Sequence, residues 1–146
     1  MAKTALPFQS EAALVKALLG KLRSGKTPWG KVKTATEFDY QRGRTDVVAV
    51  SSCGAVVSFE AKLSKWKAAM HQAFRNTSFS HESFIVVPES VVARAIAHLE
   101  EFDRRNVGIC YLKQGMLVVA HHARSVDPIQ PWLTTKARQA VAQSKA

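Results

Sequence analysis

Asp46, Glu60 and Lys62 are the residues whose types and spacing could do chemistry in this chain. They lie on two β-branched runs, 43–50 and 55–62, separated by Ser51-Ser52-Cys53-Gly54, a pattern that predicts a β-hairpin. With the turn centred on Cys53, antiparallel pairing puts Asp46 directly opposite Glu60. A strand repeats every two residues, so Glu60 and Lys62 share a face and Ala61 points to the other. Two carboxylates side by side on an apolar hairpin repel each other and lose hydration, a cost that a divalent cation relieves. Mg²⁺ prefers oxygen donors, usually one or two carboxylates plus waters and a substrate phosphate, and Mn²⁺ is the natural substitute. The plain alternative is an ordinary hairpin on which Glu60 and Lys62 form a solvated ion pair.

The elements that must position these residues follow from periodicity. Ser10 predicts the cap of a helix from Glu11 to about Arg23, closed by Ser24-Gly25, with Val15, Leu18, Leu19 and Leu22 as its stripe. Residues 25–35 read as a connecting loop carrying Lys26, Lys31 and Lys33, which suit phosphate contact, around Trp29. Trp29 itself reads as a plug at the core edge, with stacking on an unpaired base as the alternative. Residues 36–40 alternate as a strand, and 41–44 form a turn. Its Arg42 and Arg44 would stand at the mouth of the carboxylate site, either as phosphate-binding forks or as solvated turn residues.

Beyond the hairpin, Ser64 predicts the cap of a helix from Lys65 to about Arg75, with Trp66, Ala69, Met70 and Ala73 packed and Asn76 as its stop. Residues 83–87 form a short apolar run ended by Pro88, as in a buried central strand. One helix from about Glu89 to Arg105 follows, then two strands around Lys113-Gln114-Gly115. The order α-β-β-β-α-β-α-β-β predicts an α/β fold, a mixed central sheet flanked by helices. Residues 1–127 form the domain, and 128–146 extend it as a tail that docks as a helix, pairs with a second subunit in a homodimer, or stays disordered.

Thr45-Asp46 followed by Glu60-Ala61-Lys62 resembles the core motif of the PD-(D/E)xK nuclease superfamily, which includes restriction enzymes and Holliday-junction resolvases. The resemblance spans residues 10 to 120 in element order, and Thr45 stands where the family often has Pro. It implies a restriction-endonuclease-like core in which Asp46, Glu60 and the Ala61 carbonyl hold Mg²⁺. Gln72, on the helix after the second motif, is the counterpart of a family glutamine that orients Lys62 or a phosphate; by itself it also reads as a solvated helix residue. Glu11 corresponds to a first-helix glutamate that reaches the metal in resolvase-like members, and equally reads as a first-turn acid favouring the helix dipole.

Composition limits the partners. A chain of 146 residues with 47% hydrophobic residues suffices for one domain and its core. No apolar run approaches the roughly 18 residues of a membrane span, and the first residues lack a secretory h-region, so a cytoplasmic location is expected. Cys53 and Cys110 are too few for a disulfide framework and read as reduced thiols, and no spacing suggests zinc. A net charge of +10 favours polyanions, DNA first. No small-molecule cofactor and no sequence-reading helix-turn-helix is indicated.

The expected activity is Mg²⁺-dependent hydrolysis of DNA phosphodiesters, selective for a structure such as a junction or flap. Lys62 would orient the attacking water and offset phosphate charge; a lysine acts as a base only if its pKa falls from about 10.4 toward neutrality, and neighbouring carboxylates oppose that. The rival readings are a nuclease-fold binding or inhibitory subunit without turnover, and an interaction protein that binds an acidic partner.

Overall fold

A computed structural model describes residues 8–41 and 43–144. The elements are α1 (Glu11–Ser24), β1 (Val32–Asp39), β2 (Arg44–Ser51), β3 (Val56–Ala61), α2 (Trp66–Asn76), β4 (Glu82–Pro88), α3 (Glu89–Ile96), α4 (Leu99–Arg105), β5 (Val107–Lys113), β6 (Met116–His121) and α5 (Pro131–Gln143). The strands form a six-stranded sheet in chain order. The β1–β2, β2–β3 and β5–β6 pairs are antiparallel, whereas β3–β4 and β4–β5 are parallel. Parallel neighbours need long crossovers, which α2 and then α3 and α4 supply. This is the expected mixed α/β sheet with helices around it.

Both faces of β3 and β4 are covered, so their side chains from Val56 to Ala61 and from Ser83 to Pro88 are buried without alternation. On one face α1 packs Leu14, Leu18 and Leu22 against Val47, Phe59 and Phe84. The Ser10 hydroxyl caps this helix by accepting from the Ala13 N–H at 3.0 Å, and Gly25 closes it at φ 76°. The stripe centres on Leu14, Leu18 and Leu22, with Val15 and Leu19 at its edge. Trp29 packs edge-on against Phe59 and Phe84, and its Nε1 donates to Glu82 at 3.1 Å, so it belongs to the core. On the opposite face α2, α3 and α4 cover Ile85, Val87 and Ile109.

Three boundaries differ from expectation. β1 begins at Val32, so part of the expected loop is strand and Lys33 pairs with Val50. The expected cap by Ser64 is absent: α2 starts at Trp66 after Lys65, with no side-chain cap. The expected helix 89–105 is two helices, broken at Ala97 and His98, where the His98 ring lies 4.9 Å from Trp66 and Nδ1 pairs with Glu101 at 3.1 Å. The tail forms α5, which buries Leu133, Ala137 and Val141 against Ala35, Phe38, Val48 and Phe79. Among the described residues no helix is long and apolar enough to cross a membrane.

Candidate functional site

The β2–β3 ladder pairs Val47 with Phe59 and Val50 with Val56, the register of a turn centred on Cys53. Asp46 and Glu60 lie one step beyond its last pair. There a side chain takes over from the backbone: Asp46 Oδ2 accepts the Ala61 N–H at 2.8 Å. The Asp46 and Glu60 carboxyl groups also hydrogen-bond to each other.

Glu60 is 1% exposed, and its Oε2 accepts from Asn76 Nδ2 at 2.7 Å. Asn76 Oδ1 in turn accepts from Tyr40 Oη at 3.0 Å and from Thr45 Oγ1 at 2.9 Å. One buried amide therefore joins the chain after β1, the start of β2, the end of β3 and the end of α2. Behind it, Ser80 Oγ donates to the Asn76 carbonyl at 2.8 Å and meets Ser58 and Ser83 in a buried hydroxyl cluster.

Burial pushes the Glu60 carboxyl up to about 8; the Asp46 charge adds to the shift, and the Asn76 donor and the Arg75 charge oppose it. Asp46 is also raised, first by burial and slightly by Glu11, against the Ala61 N–H, the Glu60 hydrogen bond and the Lys62 charge. The pair holds a proton at neutral pH where a cation could stand instead. Its donors are hard oxygens, which fit Mg²⁺ or Mn²⁺. Among the described residues no group of three or more His, Cys, Asp or Glu side chains is disposed around a metal position, so Glu11 does not complete a ligand set with this pair. Mg²⁺ tolerates this, since waters and substrate phosphate usually complete its shell.

Lys62 is half-buried, and its Nζ lies 3.8 Å from Glu11 Oε1. Glu11 thus stands at the site as the partner of Lys62. Gln72 is half-buried one turn before Asn76, and it is Asn76 that touches Glu60. Sequence reading took Asn76 for a helix stop; an amide ending a helix that follows an acidic strand was the available signal. The Ala61 residue is buried beside Asp46.

The basic residues divide. Arg44 is two residues from Asp46, exposed, and paired with Glu37 at 3.2 Å. Arg42 lies outside the described residues. Lys31 and Lys33 are not at the mouth of the site: they line a recess at the other end of β2, with Ser51 and Ser52. Lys33 pairs with Val50, four residues from Asp46, or about 13 Å along the strand. Lys26 follows Gly25 at the far end of α1 from Glu11 and is also remote. The physical reason is direction: α1 carries the chain away from the carboxylates before these lysines occur, and only then does β1 run back toward them.

No family model and no curated protein sequence matches this chain. Among solved structures, a protein of unknown function from Silicibacter pomeroyi superposes with a TM-score of 0.69 at 18% identity, over 94% of this chain and 86% of that one. This likeness shows a shared fold. A repair endonuclease from Pyrococcus abyssi aligns at a TM-score of 0.47 and 15% identity, over 75% of this chain and 50% of that one. Pyrococcus furiosus SfsA in complex with Ca²⁺ gives 0.37 and 12%, over 80% and 62%.

Proposed function

We propose that this chain is a metal-dependent nuclease that hydrolyses DNA phosphodiesters. The observation that carries the reading is the pairing of half-buried Asp46 with buried Glu60, held in register at the end of the β2–β3 ladder with Lys62 beside it. An uncompensated acid pair costs stability, and a protein retains such a cost most readily where the site has work to do.

Asp46, Glu60 and the Ala61 carbonyl would hold Mg²⁺. When bound, the ion would supply Lewis-acid stabilisation of phosphoryl oxygens and an acidified water. Asn76 fixes the Glu60 carboxylate, and the Ala61 N–H fixes that of Asp46, so both are oriented before any substrate arrives. Lys62, with Glu11 against it, offsets charge on the phosphate and orients the attacking water. The +10 charge draws the polyanion.

Mg²⁺-dependent nicking of supercoiled plasmid, abolished by EDTA, tests the reading, and labelled junction, flap, duplex and single-stranded substrates identify the preferred structure. A second reading is favoured by the 1% exposure of Glu60: a nucleic-acid-binding subunit that keeps the acid for its hydrogen bonds alone. Binding of all substrates with no cleavage in Mg²⁺ or Mn²⁺ would select it.

A further inference from the structure

A recess of about 550 Å³ opens at the turn between β2 and β3, where β1 begins, between the last turn of α1 and the end of α5. Arg23, Lys31, Lys33 and Arg138 line it, and no acidic side chain does. None of the four pairs with a described carboxylate, whereas Arg44, Lys62 and Lys113 each do. Four cations from three elements converge without compensation. Such a cluster repels itself and is stabilised by a multiply charged anion.

The recess is more than a charged surface. Val32, Val50, Val141 and Ala142 give it an apolar floor, and the turn residues Ser51 and Ser52 supply hydroxyl groups at its rim. Arg138 is anchored by Nε donation to the Gly54 carbonyl at 2.9 Å, which leaves its terminal nitrogens for a ligand. A guanidinium held this way suits the paired oxygens of a phosphate. The volume lies within the range of small-molecule sites, which combine apolar walls with a few placed polar groups.

We propose that this recess binds a nucleotide, its phosphate against the four cations and its base against the apolar floor. The nucleotide is either free or one unit of a strand; the chemistry recognised is the same. The site stands about 13 Å along β2 from Asp46, so it holds rather than cuts, and it does not rest on the nuclease reading.

The test is fluorescence polarisation in EDTA, where cleavage plays no part, with a fluorescein-labelled oligothymidylate as probe and ATP as competitor. Lys33→Gln with Arg138→Gln should weaken binding by roughly tenfold or more. Arg94→Gln with Arg104→Gln, which removes the same charge from exposed positions on α3 and α4, should weaken it less than about threefold. Because Arg138 also anchors Gly54, Arg23→Gln with Lys31→Gln serves as a second variant that leaves the anchor intact. Displacement by ATP identifies a free nucleotide as a ligand; binding of the strand alone identifies a strand. Equal losses in the recess and control variants, or no binding of either probe, would overturn the proposal.

Discussion

Asn76 donates its amide to Glu60 at 2.7 Å while its carbonyl oxygen accepts from both Tyr40 and Thr45. The side chain of one helix residue thus sets the direction of an acid on a strand 16 residues earlier. A glutamate with a committed donor presents one fixed oxygen edge to a cation, which is the geometric requirement of a preorganised site.

Removing that amide should cost both fold and function. Asn76→Ala removes the buried donor to Glu60 and the acceptor shared by Tyr40 and Thr45, a loss of about 3 kcal/mol. Thermal unfolding should register the loss, and the single-turnover cleavage rate of the folded variant should fall because Glu60 is no longer held. An unchanged rate in the folded fraction would leave Asn76 with a purely structural role.

The acids and the lysine should separate binding from cleavage. Asp46→Asn and Glu60→Gln remove metal ligands and also negative charge, so cleavage should vanish while DNA affinity, measured in Ca²⁺, stays level or rises. Lys62→Ala should slow cleavage by at least about tenfold. Wild-type turnover in any of the three would show that the assignment is wrong.

Stability should decline with alkalinity. Glu60 titrates near 4.5 ordinarily and near 8 when folded, so the native state keeps a proton that the unfolded chain releases. Its contribution is fully present below the lower value and disappears as pH rises through the higher one, about 5 kcal/mol in all. The raised Asp46 carboxyl acts with the same sign. Melting temperature should therefore drop from about pH 5 to about pH 9, and Glu60→Gln should flatten that profile. Added Mg²⁺ should raise the wild-type midpoint most at the alkaline end, by replacing the lost proton.

A control two strands from β3 concerns packing alone. A Cβ at Gly108 would overlap the Phe84 ring and come within 2.7 Å of the His121 carbonyl oxygen. Gly108→Ala should destabilise the fold by about 3 kcal/mol. Calorimetry checks this, and the pH profile of the variant should keep the wild-type shape.

Local signals were legible wherever the chain makes its own structure. Ser10 and Gly25 marked both ends of α1, and the β-branched runs around Cys53 carried the register that brings Asp46 to Glu60. Gln114 and Gly115, both at positive φ, marked the turn between β5 and β6. The break at His98 was not legible: it carries no Pro or Gly, and its contacts to Trp66 come from a different helix. The start of β1 is not legible because Lys33 looks like a loop residue, whereas an edge strand can leave such a side chain in water.

By itself, then, the sequence determined the hairpin, the facing acids, the lysine beside them and the excess of positive charge, since each depends on type and short-range spacing. Only the tertiary structure decided which groups surround the acids. Burial raises Glu60 because α2 closes over β3, and Asn76 reaches it because the parallel β3–β4 crossover returns the helix end to that strand. Likewise, Lys31 and Lys33 parted from the acids because α1 and β1 place them at the opposite end of β2, beside Arg138 of α5. Charge in a sequence has no position; the chain path gives it one.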